Sequence, residues 1–490
     1  MKKGNGVRVL LLGGTGAIGE NLRDVLNRKG YIVYVTSRKC REDTENIHYI
    51  QGNAKDINFL RKLLKEYQVD AIFDFMIYTV RQFQERYELL LSSCKQYFFL
   101  SSQRVYADVY NSKGELDEQC LRKVDSVDEK WKKDNYGYVK GLEENILFGS
   151  NYKNWTIVRM SITFSKNRFQ FGPLDNFDVV RAIRFQSSGI PDTLVDTYTT
   201  LTYGEDAANL LEMLILHADA YSEVFNIASK EFYTWGEVAD IYKEVFGMNY
   251  KIIPEKEYLI ATNTKNMMLD RSLNRKIDTS KLGKVIKTNY LYHSLKEGLI
   301  EAWNNSDKQR FYNGTGKLDA HTLMDIYTNT NTDINLLNPV IQKKYRIMQK
   351  RSMDLVKNDL KIKDVYFVTE DHVFWEGMQE NKYVHIQRTD CSEKHGCKWY
   401  SLMPKFEFKE KQKYIFAIKF DANIETQMRI FAHGYAYNSE NIITLPVKQG
   451  RNLFKFTFTL SNTARFLGFT ATDFQKNAEL KIWDMYICKY

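Results

Sequence analysis

A chain of 490 residues with 43% hydrophobic and 27% charged residues is too long for one ordinary core and has the balance of a globular protein of two or more domains. No apolar run approaches the roughly 20 residues that span a bilayer, and the opening MKKGNG leads directly into a strand-like run, so a cytoplasmic protein with no membrane partner is expected. The net charge of +9 suits an anionic substrate, but the basic residues are spread along the chain as a solvated surface, which argues against nucleic acid as a partner.

Residues 7–19, VRVLLLGGTGAIG, read as a strand, a tight turn and a helix start. The apolar run is that of a strand buried on both faces of a parallel sheet. Gly13, Gly16 and Gly19 follow at G-x-x-G-x-x-G spacing, which lets backbone approach a pyrophosphate and lets helix pack closely on strand. Taken alone, the same spacing also serves a purely structural turn. With Thr15, Ala17 and Ile18 these glycines are the expected dinucleotide cradle, since the amides opening the helix face an anion. A helix over 20–28 and a strand over 31–36 follow. The second strand ends Thr36-Ser37-Arg38-Lys39 with no carboxylate until Glu42, so Ser37 and Arg38 are expected to favour NADP over NAD. Asn53, beside Gly52, is a further cofactor candidate, implied only by the family resemblance that the later motifs carry.

Strand and helix keep alternating: strands over 48–51, 71–75, 97–100 and 155–160, helices over 57–67, 81–92 and 136–147. The alternation predicts an α/β fold with a Rossmann-type, doubly wound parallel sheet. The fifth strand runs into Ser101-Ser102-Gln103-Arg104, at the edge where such sheets bind ligands. Tyr136 and Lys140, four apart on a predicted helix, share a face, and an ammonium beside a phenol favours the phenolate needed for proton exchange. In a chain with 32 tyrosines an ordinary surface pair reads the same way. Residues 161–305 predict a looser segment that caps the sheet and shapes a substrate pocket. Residues 306–358 read as a polar linker and a basic helix, and 359–490 as an all-β sandwich of jelly-roll type, marked by alternating runs such as KFTFTL. Six cysteines are too sparse for a disulfide framework. Cys391, His395 and Cys397 lack a second ligand pair at zinc-site spacing, so no metal is expected.

The glycine turn, SSQRVY at 101–106 and YGYVKGLEENIL at 136–147, in this order and spacing, resemble the extended short-chain dehydrogenase/reductase family of sugar-nucleotide epimerases and dehydratases. ELDEQ at 115–119, YGEDAANLL at 203–211 and VFNIASKEFYTWGEVADIYKEVFG at 224–247 extend the resemblance over about residues 7–305. It implies Tyr136 as acid/base, Lys140 on the nicotinamide ribose, and Ser102 orienting the substrate oxygen. It also implies an NAD(P)-dependent 4-epimerase or ketosugar reductase acting on a nucleotide-linked sugar in surface polysaccharide synthesis. The family's dehydratases carry an Asp-Glu pair where this chain has Gln103 and Arg104, which speaks against dehydration. Arg168, Arg181 and Arg184 are candidates for the substrate diphosphate, and each reads equally well as a solvated arginine. The β-domain resembles carbohydrate-binding modules in strand composition. Trp375, Trp399 and Tyr400 are its candidates for stacking on a glycan, and homo-oligomerisation is the other role it suggests. The rival function is a non-catalytic dinucleotide-fold protein that binds glycan or RNA.

Overall fold

The computed structural model describes residues 6–287, 290–312, 316–357, 366–368, 384–387, 400–403, 408–433, 439–464, 466–471 and 479–489. The chain divides into two units, residues 1–316 with 327–338, and residues 317–326 with 339–490.

In the first unit, β1 (Arg8–Leu12), β2 (Ile32–Ser37), β3 (Ile47–Gln51), β4 (Ala71–Asp74), β5 (Gln96–Ser102), β6 (Trp155–Met160) and β7 (Glu223–Ile227) form one sheet. Its order is β7-β6-β5-β4-β1-β2-β3, and every neighbouring pair is parallel. The order reverses at β1, so the crevice beyond the carboxyl ends of β1 and β4 is the switch point of a Rossmann-type sheet. Val9, Leu10, Leu11 and Leu12 are all fully buried, as continuous apolar strands between two helical layers require. One layer packs Leu22, Val25 and Leu26 of α1 (Ala17–Arg28) on Val9 and Leu11. The other packs Leu60 and Leu63 of α2 (Ile57–Glu66) on Leu10 and Leu12.

The single helix expected over 81–92 is two, α3 (Val80–Gln84) and α4 (Tyr87–Ser92). They part at Arg86, whose buried guanidinium lies 4.5 Å from the Tyr78 ring and donates to the Lys55 carbonyl at 3.2 Å. The helix expected over 136–147 is α5 (Asn135–Phe148), capped by the Asp134 carboxylate on the Gly137 amide at 3.3 Å.

The polar stretch expected as a linker is instead partly helical. Lys308–Tyr312 and Leu318–Tyr327 are helices, and Phe311, Leu318, Leu323 and Met324 are buried. Composition misleads here because a few apolar anchors at helical spacing suffice to order a polar segment. Phe311 packs edge-on against Phe169 (5.6 Å between ring centres), and the Tyr312 carbonyl accepts from Arg184 at 3.0 Å. The first unit is therefore expected to need residues up to Gly316. A chain ending there should unfold at a higher temperature than one ending at Asn305, which loses a buried phenylalanine worth roughly 3–5 kcal/mol. Equal midpoints would refute that boundary.

The second unit carries antiparallel sheets. One runs Tyr366–Val368, Tyr400–Met403, Phe466–Ala471, Thr426–His433 and Ser439–Val447. The other runs Val384–Gln387, Glu479–Lys489, Lys413–Ala422 and Gly450–Thr459. Alternate residues Tyr414, Phe416, Ile418 and Phe420 of one sheet share a core with Met428, Ile430 and Leu467 of the other, which makes a sandwich. Trp375, Trp399, Cys391, His395 and Cys397 lie outside the described residues, as does the side chain of Tyr400.

Candidate active site

The site is assembled at the carboxyl edge of the first sheet. β1 ends at Gly13, which has φ +71°, and its amide donates to the Thr36 hydroxyl at 2.8 Å, tying the turn to the end of β2. Gly19 is needed for a different reason: a Cβ there would lie 2.5 Å from the Gly14 carbonyl oxygen, so α1 can approach the turn only without a side chain. Gly16 is the N-cap residue of α1, with no side chain to cap the helix, and Thr15, Ala17 and Ile18 beside it are half-buried. A helix start of this kind attracts anions.

At the end of β2, Ser37 is buried with its hydroxyl accepting from the Lys39 amide at 3.2 Å, while Arg38 is exposed. Asn53 is exposed, and its side-chain oxygen accepts from the Lys55 amide at 3.1 Å.

Ser102 closes β5, and its hydroxyl accepts from the Arg104 amide at 3.3 Å. Tyr136 lies half-buried in the first turn of α5, with the Arg104 guanidinium 5.4 Å from its ring centre. One turn on, Lys140 is buried, 4.3 Å from the Phe99 ring centre and 3.2 Å from the Glu143 carboxylate. Burial pushes the Glu143 carboxyl up, against the pull of Lys140. Asp74, at the end of β4, is likewise pushed up by burial, although Tyr97 donates to it at 2.8 Å and the Met76 amide at 3.0 Å. One ammonium therefore faces two interior carboxyls.

The next residue of α5, Glu144, anchors the helix to the sheet. It accepts from Arg159 at 2.8 and 3.0 Å, from Ser101 at 2.6 Å and from Arg122 at 3.1 Å. Burial alone would raise its carboxyl, but Arg159, Ser101 and Arg122 outweigh burial and hold it below the ordinary glutamate range.

The three arginines assigned to a diphosphate are not gathered. Arg168 pairs with Asp175 at 2.9 Å on the surface, Arg181 is fully buried with its guanidinium on the Ser187 carbonyl at 2.8 Å, and Arg184 is buried against Tyr312. Sequence reasoning missed Asp134, Glu143 and Asp74 as neighbours of the catalytic candidates, and took Arg104 only as a departure from a pattern. The signals were present: an aspartate directly before the helix of Tyr136, and two glutamates one turn after Lys140. Among the described residues no group of histidine, cysteine, aspartate and glutamate could hold a metal ion, and no helix is long and apolar enough to cross a membrane.

Residues 9–228 match the NAD dependent epimerase/dehydratase family. No curated protein matches the chain. Solved structures that resemble it include an epimerase from Methanothermobacter thermautotrophicus, 18% identical with a TM-score of 0.48, covering 62% of this chain and 93% of its own. Another is dTDP-glucose 4,6-dehydratase from Bacillus anthracis in complex with NAD, 16% identical with a TM-score of 0.49, covering 61% and 96%. A third is UDP-glucose 4-epimerase from Bifidobacterium longum in complex with NAD+ and UDP, 16% identical with a TM-score of 0.47, covering 61% and 97%.

Proposed function

We propose, from the match of residues 9–228 to the NAD dependent epimerase/dehydratase family, that this protein is an oxidoreductase acting on a nucleotide-linked sugar, as a 4-epimerase or ketosugar reductase, in the assembly of a surface polysaccharide. The observation that carries the reading is the meeting, at one edge of one parallel sheet, of the glycine turn after β1, Ser102 at the end of β5, and Tyr136 and Lys140 on α5. The amides that open α1 would hold the pyrophosphate of the dinucleotide, and Lys140 would hold its ribose. Bound there, the nicotinamide supplies hydride transfer. Tyr136 moves the proton of the sugar hydroxyl or carbonyl, and Ser102 donates to the same oxygen and fixes its orientation. Gln103 and Arg104 are no acids or bases for a dehydration, which leaves oxidation and reduction at one carbon. The second unit would bring a glycan surface or join copies of the chain. Incubation with a panel of nucleotide sugars and ketosugars tests the reading: chromatography of the sugar products reads an epimerisation, which leaves the dinucleotide unchanged overall, and loss of NADH or NADPH absorbance reads a reduction. A chain that binds dinucleotide and turns over no member of the panel would return the non-catalytic alternative.

The dinucleotide preference has its own test. Arg38→Ala is expected to weaken NADP+ by about tenfold or more, the value of one charge-assisted contact, and to leave NAD+ unchanged in calorimetric titration. Tighter binding of NAD+ by the unaltered chain would overturn the NADP assignment.

A further inference from the structure

Lys140, assigned to the ribose, keeps its ammonium in the interior. The residue is 2% exposed, and its Nζ has no contact with solvent. That nitrogen lies 4.3 Å from the centre of the Phe99 ring and 3.2 Å from the Glu143 carboxylate. Phe99 belongs to the core that packs Leu60 and Leu63 of α2 on the sheet. Tyr136, Lys140 and Glu143 stand at i, i+4 and i+7 of α5 and share one face. Glu143 is one turn beyond Lys140 and Tyr136 one turn before it, so a pull toward Glu143 is a pull away from the phenol. Glu143 is fully buried, and neither of its oxygens accepts a hydrogen bond from a described residue. The ammonium likewise donates none, because its contact with Glu143 lacks the alignment of a hydrogen bond. The pair is thus held by charge alone, and oriented hydroxyls offer the ammonium what the carboxylate does not.

We propose that Glu143 is a positioning residue that latches the Lys140 ammonium in the interior, and that the lysine must leave it to reach the ribose of a dinucleotide. The inference rests on the assignment of Lys140 to that ribose. Glu143 then competes with the ligand from inside the protein, and affinity is lowered by the fraction of chains in which the lysine is latched. The competition depends on pH. Burial raises the Glu143 carboxyl, so falling pH neutralises it, releases Lys140 and strengthens binding. Asp74 is the other carboxyl whose charge acts on Lys140 and Glu143, and it accepts from Tyr97 at 2.8 Å, from Tyr78 at 3.3 Å and from the Met76 amide at 3.0 Å. Glu144, next on the helix, is already paired with Arg159 and Arg122.

The test is calorimetric titration of the full chain with NAD+, whose pyrophosphate keeps its charge from mildly acid to mildly alkaline pH. Glu143→Gln is expected to bind NAD+ about tenfold or more tighter at neutral pH, the worth of one contact to a charged group. Its affinity should be flat with pH, whereas that of the unaltered chain should rise in acid toward the value of the variant. Glu143→Asp, which keeps the charge, should keep the pH dependence. Equal or weaker binding in Glu143→Gln overturns the latch, since Glu143 would then support the lysine in its contact with the ligand. So does a gain that persists in a Lys140→Met background, which would be the mere loss of a negative charge. A pH dependence that survives Glu143→Gln and disappears in Asp74→Asn would assign the latch to Asp74 instead. If Glu143→Gln does not fold, the unaltered chain and Glu143→Asp decide, and an affinity independent of pH in both refutes the proposal. Should neither NAD+ nor NADP+ bind to any of these proteins, the dinucleotide assignment itself falls, and the latch with it.

Discussion

Replacing Tyr136 by phenylalanine is expected to lower kcat roughly 100- to 10,000-fold while leaving the Kd of the dinucleotide nearly unchanged, the signature of a positioned proton donor. The substitution removes one oxygen and keeps the ring, so the packing of Arg104 over the ring and the Asp134 cap of α5 remain. Lys140→Ala should differ from it by damaging both turnover and dinucleotide binding, since Lys140 is assigned the ribose contact. It would also strand the Glu143 carboxylate without its ammonium at 3.2 Å. Turnover of each variant beside its dinucleotide Kd separates the two roles. Full activity in Tyr136→Phe would remove the catalytic assignment and bring the binding-protein reading forward.

Glu144→Ala should cost about 3–5 kcal/mol of stability, because removing one member of a buried ion pair leaves Arg159 charged and unmatched in the interior. Arg159 is 2% exposed, and Glu144 supplies two of its hydrogen bonds and one each to Ser101 and Arg122. The effect has a definite pH dependence. The folded Glu144 carboxyl titrates below its unfolded range, so its contribution is complete above that range and is lost as the pH falls through the folded value. Denaturant unfolding of both proteins should therefore show a large gap at neutral pH that narrows in acid. A gap below about 1 kcal/mol at neutral pH, the worth of an exposed pair, would contradict the buried network.

The sequence by itself determined the parallel sheet, because runs such as VRVLLL and YFFL must be buried on both faces; the glycines after VRVLLL also end that strand, whereas β5 runs on from YFFL through Ser102. It also determined the two kinds of unit. A strand-helix alternation and a period-two alternation of aromatic residues are local patterns that need no knowledge of distant contacts. The glycine turn, Ser102, Tyr136 and Lys140 were legible for the same reason, each being fixed by spacing within a few residues. Only the tertiary structure decided what surrounds them. Tyr106 and Ala107 give their carbonyls to Arg275 from more than a hundred residues away, and Glu144 meets Arg159 across a helix-sheet interface, so no spacing rule announces either contact. The same holds for residues 308–327, where a polar composition hid buried apolar anchors, and for Arg181, whose burial no local pattern shows. Charge in an interior is set by partners brought from elsewhere in the chain, and those partners exist only once the chain has folded.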